Sequence, residues 1–331
     1  EPTFKKTAFA EAVFFYVTKT TRSPPLQETT FFIKRYKMAS TSNDNGRAFE
    51  YCLTKYILDN SSSKIDIDNE TKNQQARDES KYENLSPELK ILFSNASKRY
   101  FELLPTTIFS LKRLSDNEGK DGNPTDIELI FIENGLPKTK NISLKNNHNA
   151  VKHQRPGSLI SQLGISDKNE DNLYRECIKS LERTFISSVE SLGFNTSNEL
   201  LFSDIKSCSE QVILDLYNSF CSLTASVINK FGSIHAGDYF HFLVSRTDFE
   251  KLIVYPNKII IQEWYKLPTP SAMTAFVSDN SYVNVIFNNG YTFKMRLHNA
   301  SSRFKKGSSI SLKFDTRLEE SAKIPTSEFF I

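Results

Sequence analysis

The stretch that most constrains this chain is Pro124-Thr125-Asp126-Ile127-Glu128-Leu129-Ile130-Phe131-Ile132, followed by Asn141-Ile142-Ser143-Leu144-Lys145-Asn146-Asn147-His148. The first part reads as a strand that begins at an acid. The second reads as a short strand that ends on a lysine and gives way to a polar, histidine-bearing segment. Between them, Asn134-Gly135-Leu136-Pro137 is rich in turn formers. If the strands pair about that turn, Asp126 and Lys145, 19 positions apart, meet at one end of a hairpin. Glu128 is two residues from Asp126 on one strand, so the two carboxylates share a face. Such a face offers hard oxygen ligands for Mg²⁺. A lysine beside it can orient or help deprotonate an attacking water and offset charge developing on phosphorus. An ordinary polar-edged hairpin carries the same residue types, so spacing alone leaves both readings open.

Composition limits the wider class. A chain of 331 residues can form one large domain or two modest ones and can bury a substantial core. The apolar share, 38%, is low, but 26 Phe and 13 Tyr supply core material, so the chain reads as folded with polar loops. A net charge of +3 excludes a bulk polycation, and any nucleic-acid affinity must come from local patches. Cys52, Cys177, Cys208 and Cys221 lie far apart with no CxxC spacing. Reduced thiols are expected there, rather than a zinc site or disulfide framework. No run of about 18 apolar residues occurs, so no membrane span is expected and the chain reads as cytoplasmic.

Along the chain, residues 1–37 mix Phe clusters with Thr, Lys and the breaker Ser23-Pro24-Pro25. They read as an extension outside the catalytic fold, with an added strand as the alternative. A single larger domain is expected over 38–325. Arg47 to Leu58 has Phe49, Cys52, Leu53, Tyr56 and Ile57 at helical spacing. Gln74 to Tyr82 reads as a polar helix, and Ser86-Pro87-Glu88 is a helix start that runs toward Pro105. Ser115 to Asn123 is a polar loop. Asp171–Leu192 and Ser209–Phe231 read as helices, and His235–Val244 is open between helix and extended chain. From Lys251 the texture is β. Val283–Phe287 and Tyr291–Leu297 flank Asn288-Asn289-Gly290, a hairpin signal. Ser309–Phe314 reads as the last strand. The expected fold class is α/β (α+β), a small mixed sheet flanked by helices with a β-rich C-terminal part. The catalytic core is placed at about 45–160 and the recognition part at about 165–320.

Pro124-Thr125-Asp126 followed by Ser143-Leu144-Lys145 resembles the PD-(D/E)xK nuclease core. More specifically, Ile142 to His153 resembles the "VKxNHxAVKH" segment of the HaeIII-type restriction endonucleases. Gly46 to Tyr51 is similar to that family's N-terminal helix. Asn289 to Ser302 resembles its "GWxFxxRIHNASS" block, and Ser311-Leu312-Lys313-Phe314-Asp315 its "SLKFD". The blocks keep family order from about residue 45 to 315, and residues 1–44 are not covered.

The resemblance implies a type II restriction endonuclease. Such an enzyme cuts double-stranded DNA with Mg²⁺ inside a short GC-centred palindrome, GGCC or the relaxed RGCY. It implies a metal ligand at Asp126 and the catalytic lysine at Lys145. Glu50 matches a helix acid that approaches the metal site. Ser143 stands where the superfamily usually has an acid, so Glu50, or else Glu128, is expected to supply the missing carboxylate. A cognate DNA methyltransferase acting on the same site is the implied partner. A homodimer is the simplest way to attack both strands of a palindrome, and a monomer nicking twice is the alternative.

DNA contact is expected from Asn146, Asn147, His148, Lys152, His153 and Arg155 after the catalytic lysine. The plain alternative for these residues is a solvated polar turn. The C-terminal hairpin adds Arg296, His298, Asn299, Ser301, Ser302 and Arg303. Arginine is the commonest bidentate reader of guanine, and a β-ribbon can enter the major groove. A rim of solvated charge is the alternative for Lys305 and Lys306, and Trp264 reads as a core or edge aromatic. Two rival classes stay open: a repair or junction nuclease on the same fold, and a sequence-specific DNA-binding protein without catalysis.

Overall fold

The computed structural model describes residues 39–114, 123–147, 150–319 and 323–331. The extension expected over 1–37, His148, and most of the loop expected over 115–123 lie outside the described residues.

Three helices come first. α1 (Ala39–Asn60) buries Phe49, Cys52, Leu53 and Ile57, the stripe marked by the helical spacing. After β1 (Asp66–Ile67), α2 (Asn69–Glu83) starts where the Asp68 carboxylate accepts the Thr71 N–H at 2.7 Å. α3 (Pro87–Phe101) starts at the Ser86 cap, with Pro87 in the first turn, where no N–H is required. α1 and α3 meet through Phe49 and Phe93, whose rings stack at 4.8 Å.

α2 has no apolar stripe to dock with. A polar anchor holds it instead. Arg113 ends β2 (Ile108–Arg113) and is 0% exposed. Its guanidinium donates to Glu50 of α1 at 2.7 Å, and to Asp78 at 2.8 Å and Gln75 at 2.7 Å of α2. Its backbone N–H donates to the Thr71 hydroxyl at 2.9 Å. One buried cation thus ties two helices to the end of a strand.

β3 (Ile127–Glu133) and β4 (Leu136–Asn146) form the hairpin on which the site depends. Asn134 and Gly135 take φ of 52° and 76°, the left-handed conformation of a two-residue hairpin turn. The turn is therefore tighter than its breakers suggest, and Leu136 and Pro137 already belong to β4, opposite Glu133 and Ile132. The rest of the chain forms β5 (Lys152–Gln154), α4 (Leu159–Gln162), α5 (Lys168–Ser191), β6 (Leu200–Leu201), α6 (Phe202–Cys208), α7 (Glu210–Phe231) and α8 (Ala236–Val244). There follow β7 (Phe249–Tyr255), β8 (Lys258–Trp264), β9 (Met273–Ser278), β10 (Tyr282–Phe287), β11 (Thr292–Asn299), β12 (Arg303–Phe304), β13 (Leu312–Leu318) and β14 (Thr326–Phe330).

The first sheet has seven strands in the order β1-β2-β3-β4-β7-β8-β14. β4 and β7 run parallel, and Pro137 is tolerated in β4 because β7 pairs with it only from Ile142 onward. Ile127, Leu129, Ile142, Leu144, Leu252 and Val254 build one core with α1 and α3. A second sheet, β5-β13-β11-β10-β9, packs Phe293, Met295, Leu297 and Phe314 into a separate core with α5, α7 and α8.

Several elements differ from the sequence expectation. The central sheet has seven strands rather than a few, because β7, β8 and β14 join it from far along the chain. The strand expected at 309–314 runs from Leu312 to Leu318, and the Ile310 N–H is held by Glu182 at 2.7 Å instead of by a ladder. It is not the last strand, since β14 follows and pairs with β8. The stretch 235–244 is helical, ending at Ser245 with φ of 89°. Cys52 and Cys221 are buried, Cys208 is exposed, and all four cysteines are free. No helix among the described residues is long and apolar enough to cross a membrane.

Replacing Arg113 by leucine leaves Glu50 and Asp78 buried without their cation. It is expected to cost about 3–5 kcal/mol, read as a lower urea midpoint at pH 7. A second outcome follows from Asp78. Burial pushes its carboxyl up, but Arg77, Lys81 and Arg113 outweigh burial and hold it well below the usual carboxylate range. A depressed acid stabilises the fold above its unfolded value of about 3.9 and loses that contribution as the pH falls below it. Urea unfolding between pH 7 and 3 is therefore expected to show an acid-linked loss that Asp78→Asn flattens.

Candidate active site

Asp126 immediately precedes β3 and is stitched between two strands. Its N–H donates to the Ile142 carbonyl at 2.8 Å, and its own carbonyl accepts from Leu114 at 3.0 Å. Oδ2 of its carboxylate accepts the Leu144 N–H at 2.6 Å and the Ser143 hydroxyl at 3.4 Å. Lys145 Nζ lies 3.9 Å from the same oxygen. The structure thus brings Asp126, Ser143 and Lys145 together at the open end of the hairpin. Alternation along β4 explains why: Ile142 and Leu144 belong to the core, so Ser143 and Lys145 face the other way.

Glu50 reaches the same region from α1. It is buried and accepts hydrogen bonds from Arg47 at 2.9 Å and Arg113 at 2.7 Å. Its carboxyl is nonetheless raised, first by burial and then by the charge of Asp126, against the pull of the two arginines. The two carboxylates therefore feel each other. Glu128, two residues along β3 from Asp126, pairs with Asn141, four residues back along β4 from Lys145, and is half-buried.

Two carboxylates held against mutual repulsion, one of them half-exposed, are a donor set that fits a hard divalent cation. Among the described residues no three His, Cys, Asp or Glu side chains close around a metal position. A site with one or two carboxylates, whose remaining positions water and phosphate would fill, is of the kind that suits Mg²⁺.

Lys251 is a residue that the sequence reading missed. It is the cross-strand neighbour of Ser143 in the parallel β4–β7 pair and is 2% exposed. Burial, and then the like charge of Lys145, push its ammonium down to about 7. The available signal was a lysine at the head of the apolar run Leu252-Ile253-Val254. Arg113, which fixes Glu50, was missed for a similar reason.

The residues expected to contact DNA divide into groups. Asn146 ends β4, and Asn147 is exposed with φ of 55°, its N–H donating to Val254 at 2.9 Å. His148 lies outside the described residues. Lys152 does not join the surface residues: β5 alternates, Lys152 is buried, and its Nζ sits 4.9 Å from the Phe242 ring centroid. Arg155 is exposed and donates to Ser311 at 2.9 Å. Asn299, Ser301, Ser302 and Arg303 build a corner. Tyr217 and Asn299 share hydrogen bonds, Asn299 donates to the Ser301 carbonyl at 2.8 Å, and Arg303 pairs with Glu199 at 2.6 Å. Trp264 is buried against Phe249. Arg296 is exposed on β11, opposite Asp315 of β13. Asp315, which the sequence places in the SLKFD-like block without a role, holds His153 at 2.5 Å and His298 at 2.8 Å.

The family described as HaeIII restriction endonuclease matches residues 46–265, which include Glu50, Asp126, Lys145 and Lys251. The type II restriction enzyme HaeIII of Haemophilus aegyptius is 24% identical over 320 residues, covering 85% of this chain and 95% of that protein. No solved structure matches. A family match that spans the β3–β4 hairpin, the first helix and the strand carrying Lys251 settles the kinship: the chain belongs to the HaeIII restriction endonuclease family.

Proposed function

We propose that the protein hydrolyses phosphodiester bonds of double-stranded DNA within a short GC-centred palindrome, GGCC or RGCY, with Mg²⁺ held by Asp126 and Glu50. The observation that carries this reading is the convergence of the Leu144 N–H, the Ser143 hydroxyl and the Lys145 ammonium on one carboxylate oxygen of Asp126. Family membership supports a sequence-specific DNA endonuclease of a restriction–modification system, and type II enzymes of this kind generally use a divalent metal. The palindrome and the choice of Mg²⁺ rest on the resemblance and on the carboxylate chemistry.

When bound, the metal makes water more acidic and offsets charge on the phosphoryl group. The chain's own residues do the rest. The Leu144 N–H and the Ser143 hydroxyl fix one oxygen of Asp126, so the acid cannot swing away. Ser143 here orients an acid instead of being one. Lys145 brings its ammonium to the carboxylate, where it can steady the attacked phosphate as negative charge builds. Glu50 supplies the carboxylate that the Ser-x-Lys pattern lacks, and Arg47 and Arg113 hold it in place. Arg296, with Asn146, Asn147 and Arg155, supplies contacts to DNA. A homodimer would present this site to both strands, and a cognate methyltransferase would protect the same sequence in the host.

Plasmid DNA incubated with the protein and Mg²⁺ is expected to be cut at discrete sites whose ends share one GC-centred sequence. Intact plasmid, or ends without a common sequence, would sink the reading. Asp126→Ala and Lys145→Ala are each expected to slow cleavage about a hundredfold or more, with binding in Ca²⁺ kept within a few-fold. Glu50→Gln keeps a side chain for the two arginines to meet. It is expected to raise the Mg²⁺ concentration needed for half-maximal single-turnover cleavage. An unchanged Mg²⁺ dependence would remove Glu50 from the metal site.

A further inference from the structure

The open face of the second sheet carries a polar cluster that catalysis does not use, assembled from three separate stretches of chain. Asp315 on β13 lies across from His153 on β5 and, on its other side, from Arg296 on β11. Residues directly opposite on antiparallel strands have Cβ atoms about 5 Å apart, so an aspartate and an arginine so placed are natural ion-pair partners. That pair is not made here. Asp315 Oδ1 is 2.5 Å from His153 Nδ1, and Oδ2 is 2.8 Å from His298 Nε2. Each carboxylate oxygen already has its own imidazole. The bidentate guanidinium fork needs those same two oxygens.

Three further facts show that the arrangement is held. The other ring nitrogen of His298 is 3.0 Å from the Asn299 carbonyl, which anchors the ring beside Asp315. Lys313 Nζ comes only to 3.8 Å of Asp315. Burial raises the Asp315 carboxyl, but the two imidazoles beside it, His153 and His298, outweigh burial and hold the acid well below the usual carboxylate range. Arg296, meanwhile, is exposed and pairs with no carboxylate among the described residues. It shares the open face with Lys294, Lys313 and Arg317, the charge an approaching polyanion would meet.

We infer that His153 and His298 are positioning residues that occupy both oxygens of Asp315 and so leave the Arg296 guanidinium unpaired to engage a guanine in the DNA site. This rests on the reading of the protein as a GC-specific endonuclease. It assigns the two histidines a different role from direct DNA contact: they withhold an acid from an arginine. Arginine reads guanine through O6 and N7 in the major groove, and a good bidentate contact discriminates on the order of tenfold or more.

The test uses the full chain in Ca²⁺. The probes are a duplex bearing the sequence mapped by wild-type cutting and the same duplex with 7-deazaguanine, which lacks the N7 acceptor. Wild type is expected to lose on the order of tenfold on the 7-deazaguanine duplex. The double variant His153→Ala/His298→Ala, whose Asp315 is released to take Arg296, is expected to bind the normal duplex about as weakly and to ignore the 7-deaza change. Adding Asp315→Asn to it should restore both affinity and sensitivity, because the competing acid is gone. If the triple variant is no better than the double, the proposal is overturned. Asp315→Asn alone is nearly isosteric and covers the case in which the double variant fails to fold. It is expected to leave cognate affinity unchanged or tighter, whereas a tenfold loss would mean that the acid serves the histidines as DNA contacts and would overturn the proposal equally. Failure of wild type to cut or bind any mapped sequence would instead strike the functional reading itself.

Discussion

The buried guanidinium of Arg113 is the interaction on which the catalytic half of this molecule depends. Replacing a buried ion network by apolar side chains of similar volume is often neutral or stabilising, so stability alone does not explain why one is present. Its geometry does. Arg113 ends the strand beside β3, and its two-sided grip draws α2 in through Asp78 and Gln75 and α1 in through Glu50. An apolar contact could have docked either helix with some freedom to slide. A guanidinium bound to Glu50 at 2.7 Å cannot, and the outcome is a carboxylate close enough to Asp126 to feel its charge. The same residue that closes the fold also places Glu50, the second acid of the proposed site.

The parallel pairing of β4 with β7 is the second determinant. It sets Ser143 beside Lys251 and Lys145 beside Ile253, while Leu144 and Leu252 turn to the opposite, core side. Two lysines therefore lie close on one face, and the more buried of them is pushed down toward neutrality. An acid at position 143 would stand next to Lys251 and be neutralised by it. A serine there leaves the charge of Asp126 to Lys145, and under the proposed function this gives the departure from the acid-x-lysine pattern a physical setting, with Glu50 of α1 as the second carboxylate.

The parts of the molecule legible in the sequence are those in which the informative residues are near in chain. The hairpin of Asp126 and Lys145, the Asn-Gly turn, the Ser-Pro helix start and the Asn-Asn-Gly turn all announce themselves within about 20 residues. The strand-rich C-terminal third was legible for the same reason. The fold class was broadly right and the sheet too small, because β7, β8 and β14 enter the first sheet by pairings that no local pattern encodes. Lys152 reads as one more basic residue after the catalytic lysine, yet strand alternation turns it inward onto Phe242. Arg113, Lys251 and Asp315 were invisible for one shared reason. Each is a charged residue whose meaning lies in a partner distant in sequence: Glu50 and Asp78, Lys145, and the two histidines.

That shared feature bears on how a chain of net charge +3 can face DNA at all. Forty-two basic residues and thirty-nine acids nearly cancel, so bulk charge gives little attraction. The balance at a surface is set instead by which charges are already engaged inside the protein. Asp78 is enclosed by Arg77, Lys81 and Arg113, and Asp315 by His153 and His298, with both acids held far down. Glu50 is held by Arg47 and Arg113. Every acid locked in this way is one fewer free to neutralise a cation on the open sheet, and Arg296 is the cation that benefits. A near-neutral protein can thus present a locally basic face without acquiring the non-specific affinity of a polycation, since phosphate contacts supply attraction to any sequence and base contacts supply the choice among them.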